Sequence, residues 1–227
     1  MKAMILAAGR GERLRPLTDR TPKPLIEVGG KPLVAWHLER LARSGLRDVV
    51  INVSHLAEMI EARLGDGSAW GVSIAYSREA EALETAGGIA TARELLGAEP
   101  FLLVNADVYC DVDFTALSAR DLGAHLAHLV LVPNPGFRPE GDFSLAHGSV
   151  GIDAAPRYTY AGIALIAPRL VAHVAPGRKA PLGPVLRDAA SRGEVSGEVH
   201  HGAWSDVGTP QRLAELAATL NSEERST

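Results

Sequence analysis

Seven short apolar runs recur along this chain, at residues 4–8, 49–53, 72–76, 101–105, 126–132, 160–166 and 195–200. Most are β-branched or continuously apolar, the composition of strands buried on both faces. Helical patterns separate most of them, at 31–44, 55–64, 88–96, 114–118, 182–192 and 210–220. The first of these has Pro32 near its start and Gly45 just past its end, the expected asymmetry of a helix. Such alternation predicts an α/β fold: a Rossmann-like three-layer sandwich around a mostly parallel mixed sheet. With 227 residues and a hydrophobic fraction of 46%, the chain can bury the core of a single domain. Residues 133–158 interrupt the pattern with Gly and Pro, and read as an excursion over the sheet, suited to a lid or a sugar pocket. No hexapeptide repeat follows residue 200, so no β-helix is expected after the sheet, and residues 221–227 read as frayed.

The net charge of −4, with only 5% aromatic residues and no basic run outside the N-terminal loop, argues against nucleic acid or an anionic membrane as partner. No apolar stretch approaches the roughly 20 residues that a membrane span needs. Cys110 is the single cysteine and can form no intrachain disulfide, which fits a reducing compartment. The expectation is a cytoplasmic protein.

The first apolar run stops at Gly9 and Gly11, and Arg13, Arg15 and Lys23 follow. A strand ending in a glycine loop offers backbone N–H groups, and fixed cations nearby suit the site to a polyphosphate. It is neither of the common phosphate loops: position 14 is Leu where Gly-x-Gly-x-x-Gly needs glycine, and the Walker pattern is absent. Pro22 and Pro24 flank Lys23 and restrict its backbone. Ligands of open parallel sheets gather at the carboxyl ends of strands. The glycine loop, Ser77 and Asn105-Ala106-Asp107 all fall there. Asp107 and Asp206 can serve as turn or helix caps, or can together hold Mg²⁺, which takes one or two carboxylates and keeps waters. Residues 83–88 form a second glycine turn, read either as a loop with Thr85 as helix cap or as a wall that receives a base. His37, His55 and His201 have no partner at metal-ligand spacing and read as surface or helix histidines. With no Gly-x-Ser-x-Gly elbow and no reactive Cys setting, covalent catalysis is not indicated.

Leu6-Ala7-Ala8-Gly9-x-Gly11-x-Arg13-x-x-Pro16-Leu17-Thr18, then Pro22-Lys23-Pro24-Leu25, resembles the signature of the sugar-1-phosphate nucleotidyltransferases. The likeness continues through residues 83–88, 104–107, Gly141-Asp142-Phe143, Gly162 and Asp206-Val207-Gly208-Thr209, nearly the whole chain. It implies the nucleotide-diphospho-sugar transferase fold, as one domain over 1–227. Residues 1–132 would mainly bind nucleotide, 133–200 mainly sugar, and 201–220 would form a metal loop and last helix.

Further implications of the resemblance concern single residues. Leu6, Ala8, Gly9, Gly11, Glu12 and Arg13 would wrap a nucleoside triphosphate, with Arg13 on its β and γ phosphates. Lys23 would lie between the α phosphate and the incoming sugar phosphate, and Arg13 and Lys23 would be the catalytic cations. Ser77, Ala82 and Gly87 would face the base. Asn105, Asp142 and Gly162 would border the sugar, and Asp107 and Asp206 would hold Mg²⁺. The substrates implied are UTP and a sugar-1-phosphate, in a monomer or small homo-oligomer. The short length and the Glu84-Thr85-x-Gly87-Gly88 variant most resemble the branch that uridylylates N-acetylmuramate-1-phosphate in peptidoglycan recycling. Guanylyl or thymidylyl transfer to mannose-, heptose- or glucose-1-phosphate stays open, as does a non-catalytic nucleotide sensor. A Glu-Lys-Pro element of many relatives is missing: 153–157 reads Asp-Ala-Ala-Pro-Arg. Arg138 and Arg157 are candidates for a lactyl carboxylate, or simply solvated surface.

Overall fold

The computed structural model describes residues 1–224. In chain order its strands are β1 (Ala3–Leu6), β2 (Glu27–Val28), β3 (Lys31–Pro32), β4 (Asp48–Val53), β5 (Ser73–Arg78), β6 (Phe101–Asn105), β7 (Val108–Cys110), β8 (Ala127–Val132), β9 (Phe143–Ala146), β10 (Ser149–Gly151), β11 (Arg157–Ile166), β12 (Val195–Val199) and β13 (Trp204–Asp206). Its helices are α1 (Leu33–Arg43), α2 (Ala57–Leu64), α3 (Glu84–Thr91), α4 (Arg93–Leu96), α5 (Phe114–Ser118), α6 (Leu182–Ser191) and α7 (Pro210–Glu224).

Nine strands form one sheet in the order β5-β4-β1-β6-β11-β8-β12-β10-β9. β5, β4, β1 and β6 pair in parallel, as do β8 and β12, whereas β10 and β11 alone run against the other strands of the sheet. Side chains alternate between its two faces, as the pleat requires. Ala3 and Ile5 of β1, with Leu102 and Val104 of β6, meet Leu38 and Leu41 of α1, Ile60 of α2 and Phe114 of α5. Met4, Phe101 and Leu103 meet Ile89 of α3 and Leu182 and Leu186 of α6 on the opposite face. Each fully buried side chain of this size contributes about 1.5–3 kcal/mol. The result is the three-layer sandwich that the alternation predicts. A third cluster packs Leu216 and Leu220 of α7 on Val28, Leu33, Tyr109 and Val207, which ties the last helix to the strands beside the cleft.

Several boundaries differ from the sequence pattern. Residues 133–158 do not simply cross over the sheet: 143–151 fold into the β9–β10 hairpin at its edge, and β9 also pairs with β11. The hairpin strands are too short to carry a periodic signal, and their turn uses Gly148 at φ 80°. α3 starts at Glu84 rather than 88, so the glycine pair lies inside the helix, and Thr85 provides no side-chain cap. α1 does end as predicted: Gly45 takes φ 76°, and Leu46 N–H donates to the Leu41 carbonyl at 2.9 Å. α7 continues to Glu224, past the expected stop at 220, and residues 225–227 lie outside the described residues. Among the described residues no helix is long and apolar enough to cross a membrane.

Candidate active site

The chain leaves β1 at Leu6 and enters the glycine loop. Gly11 has φ 65°, and a Cβ there would stand 2.8 Å from Thr18 Cγ2 and 3.2 Å from Lys23 Cβ. Only glycine combines that backbone angle with so close an approach. Thr18 then locks the loop by donating Oγ1–H to the Gly11 carbonyl at 2.9 Å. This packing brings Lys23 against the loop. Lys23 lies in a 3-10 turn, with Pro22 before it and Pro24 inside it, and is only 7% exposed. Its Nζ donates to Asp107 Oδ2 at 2.5 Å. Asp107 follows β6, so one ion pair joins the glycine-loop segment to the carboxyl end of a central strand.

β7 and β13 place the second carboxylate. They pair antiparallel with Asp206 opposite Val108, and Val207 N–H donates to the Asp107 carbonyl at 2.9 Å. Asp206 Oδ2 accepts from Arg212 Nη1 at 3.1 Å, and that guanidinium lies 4.0 Å from the ring centre of Phe137. Asp206 Oδ1 is buried and has no partner. A Cβ on Gly208 would stand 2.9 Å from this oxygen and 3.0 Å from Arg13 Nη2, so Arg13 and Asp206 converge on that glycine. Among the described residues no cluster of three or more His, Cys, Asp or Glu side chains forms a closed metal cage. An orphaned buried carboxylate oxygen on β13, which pairs with the strand directly after Asp107, fits an ion such as Mg²⁺, which asks little of the protein and leaves room for phosphate oxygens and water.

His37 braces this corner from below. It is on α1, as a helix histidine, but it is not at the surface: it is 1% exposed and lies beside the Phe114 ring. Burial lowers its pKa to about 4, so at neutral pH the ring is uncharged. Its Nε2 is 2.5 Å from the Val108 carbonyl, which makes Nε2 the protonated nitrogen and donor. Cys110, two residues further on β7, is buried, and its thiol is pushed up to about 11 by that burial. It is therefore no nucleophile at neutral pH.

The glycine loop, Lys23 and the residues 105–107 at the end of β6 border a cleft of about 720 Å³, within the usual size of a small-molecule site. Of the residues that the sequence singles out, Leu6, Ala8, Gly9, Gly11, Glu12 and Arg13 line it from the loop. Lys23, Ala82, Asn105 and Asp107 complete its lining. Ser77, Gly87, Asp142, Gly162 and Asp206 are not in its wall. Ser77 is buried on β5. Gly87 serves packing: a Cβ there would stand 2.3 Å from the Arg178 carbonyl oxygen. Gly162, at φ 76°, gives Asn105 its room, with Asn105 Nδ2 2.7 Å from where a Cβ would be. Asp142 is engaged locally, pairing with Arg138 at 3.0 Å and accepting Tyr160 N–H at 2.9 Å. Arg157 spends its guanidinium on the Ile152 and Asp142 carbonyls.

The cleft wall also contains Glu84, within the 83–88 turn read above as a possible wall, and Asn52 and Lys179, which the sequence does not single out. Asn52 had a signal: it is a polar residue in an apolar strand, and the β1 register sets Leu6 beside both Asn52 and Asn105. Glu84 is a non-glycine residue at φ 60°, with Lys179 Nζ 3.8 Å from its carboxylate. Nothing in the local pattern around Lys179 marks it.

A family model described as nucleotidyl transferase matches residues 2–134, and the chain belongs to this family. It is therefore an enzyme, a transferase of nucleotidyl groups. Over 225 residues it is 53% identical to the N-acetylmuramate alpha-1-phosphate uridylyltransferase of Neisseria meningitidis serogroup B, covering 96% of this chain and 97% of that one. It is 34% identical to the protein of the same name from Caulobacter vibrioides, over 95% of this chain and 94% of the other. Among solved structures, HddC from Yersinia pseudotuberculosis, complexed with GMP-PN, superposes with a TM-score of 0.78 at 21% identity, covering 96% of this chain and 98% of that chain. At that identity the likeness speaks for the fold.

Proposed function

We propose that this protein transfers a uridylyl group from UTP to N-acetylmuramate-1-phosphate, with Mg²⁺, giving UDP-N-acetylmuramate and pyrophosphate in cytoplasmic peptidoglycan recycling. Likeness over the full length to two enzymes of that name supports the substrate pair. The observation that carries the chemistry is the buried Lys23, fixed beside Asp107 on the floor of a cleft walled by the glycine loop. A phosphate oxygen of the sugar-1-phosphate attacks the α-phosphorus in line. The new O–P bond forms as the bond to the β-phosphate oxygen breaks, and pyrophosphate leaves with the electron pair. The nucleophile is already an anion and needs no general base, so positioning and charge stabilisation carry the rate.

Each residue then has a task. The loop from Leu6 to Glu12 holds the triphosphate, and Arg13 takes its β and γ phosphates. Lys23 leaves Asp107 partly or wholly for the α-phosphate and the sugar phosphate. Asp107 and the free oxygen of Asp206 would hold Mg²⁺, which would supply Lewis-acid charge when bound. Ala82, with Ser77 and Gly87 behind it, shapes the base side of the 1–132 region. Asn105, Gly162 and Asp142 shape the sugar side, within 133–200 and its border. Pyrophosphate release over a matrix of UTP, dTTP and GTP against N-acetylmuramate-, glucose- and mannose-1-phosphate, with and without Mg²⁺, tests the reading. Turnover confined to UTP with N-acetylmuramate-1-phosphate and Mg²⁺ is expected. A preference for GTP and mannose-1-phosphate would contradict it.

A further inference from the structure

Between the glycine loop and the base-side turn runs a buried hydrogen-bond chain to which the reaction above assigns no task. Ala7 N–H, at the entry to the loop, donates to Asn52 Oδ1 at 2.8 Å. Asn52 Nδ2 donates to Glu79 Oε1 at 2.7 Å. The other Glu79 oxygen accepts Leu83 N–H at 2.9 Å, one residue before α3. The backbone donor at Ala7 fixes which end of the Asn52 amide is oxygen, and the amino group is left for the carboxylate. Asn52 is 3% exposed and Glu79 6%. A Cβ on Gly88 would stand 2.7 Å from Asn52 Nδ2 and 2.8 Å from Glu79 Oε1, so α3 reaches this pair only because residue 88 is glycine.

Asn52 and Glu79 are held by the ends of β4 and β5, with Glu79 N–H bonded to the Val53 carbonyl at 2.8 Å. The chain therefore fixes the distance between the backbone at Ala7 and the backbone at Leu83. One of these walls holds phosphates and the other meets the base, and both ends belong to one ligand. We propose that Asn52 and Glu79 are positioning residues that set the separation of the phosphate loop from the base-side turn, and through it nucleotide affinity and nucleobase choice. This rests on the cleft being the nucleotide site proposed above.

Asn52→Asp sets a carboxylate against a carboxylate, and Glu79→Gln sets an amide N–H against a donor. Each breaks one link. The double variant restores the chain with its middle bond reversed: the introduced aspartate accepts from Ala7 N–H and from the introduced glutamine, whose oxygen accepts Leu83 N–H. In the full-length protein, calorimetric titration with UTP and steady-state assays over the nucleotide matrix give the readouts. Each single change is expected to weaken UTP binding roughly 10–100-fold, the effect of one buried unsatisfied polar group. It should narrow the preference for UTP over other nucleoside triphosphates while leaving the KM for sugar phosphate unchanged, and the double variant should recover both. A folded single variant with wild-type UTP affinity and base preference overturns the proposal, as does a double variant no better than the worse single. Should either single variant fail to fold, Asn52→Ser, which shortens the side chain without adding charge, replaces it in the same comparison. Wild-type protein that binds UTP but releases no pyrophosphate would sink the proposed reaction and leave the affinity ratios standing. Wild-type protein that binds no nucleoside triphosphate would overturn both.

Discussion

A full charge on a side chain as buried as Lys23 costs several kcal/mol unless an anion stands beside it. Asp107 is that anion in the free protein, and in the proposed reaction the incoming phosphates would replace or share it. Lys23→Ala is therefore expected to lower kcat about 10²–10³-fold, the usual loss for one positioned charge at a reacting centre. Near-normal turnover of the purified variant would remove Lys23 from the mechanism. Asp107→Ala removes the carboxylate proposed to hold Mg²⁺ and leaves Lys23 buried and without this partner, so both activity and the urea midpoint should fall. His37 gives a separate residue-level test through pH. Its folded pKa of about 4 lies below the ordinary 6.5, so between these values the unfolded chain binds the extra proton. The stability it contributes is present above pH 6.5 and is lost as pH falls toward 4, by up to ~3 kcal/mol at about 1.4 kcal/mol per unit. Urea titrations between pH 7.5 and 4.5 should show this acid loss, and His37→Gln should show less of it.

At the scale of elements, helix α3 depends on glycine for its close packing. A methyl group on Gly87 would run into the Arg178 carbonyl oxygen at 2.3 Å, backbone that has no rotamer with which to yield. Gly87→Ala should cost about 1–3 kcal/mol by overpacking, seen as a melting temperature lowered by roughly 2–4 °C per kcal/mol. An unchanged melting curve would mean that the 178–180 segment moves freely away from α3. The sequence announces the long central strands and α1 clearly, because burial on both faces writes itself as continuous apolar runs and caps as Pro and Gly. It does not announce β7, β9, β10 or β13, each three or four residues long and with too few side chains to carry a period. For the same reason the 133–158 segment reads as an excursion over the sheet when part of it belongs to the sheet. In the candidate site, the loop residues and Asp107 stand out because glycine spacing and strand ends mark them. Arg212 and Lys179 do not, since their part depends on which distant segments α7 and the 178–180 stretch approach. His37 is missed because a single histidine on a helix looks the same whether it faces solvent or core.

For the molecule as a whole, the sheet collects the carboxyl ends of β1, β4 and β6 under one glycine loop, and β13 brings a second carboxylate from the far end of the chain. The fold is built by packed apolar layers, and among the described residues no closed metal cage crosslinks them. Chelating divalent metal should thus abolish pyrophosphate release while leaving the melting temperature of the nucleotide-free protein unchanged. A large fall in melting temperature on chelation would instead mean a structural metal. The reaction itself is tested most directly by following the α-phosphorus. With UTP labelled at that position and N-acetylmuramate-1-phosphate as acceptor, attack at the α-phosphorus puts the label in the UDP-sugar and leaves pyrophosphate unlabelled. Label recovered in UDP or UMP, with no sugar nucleotide formed, would contradict it.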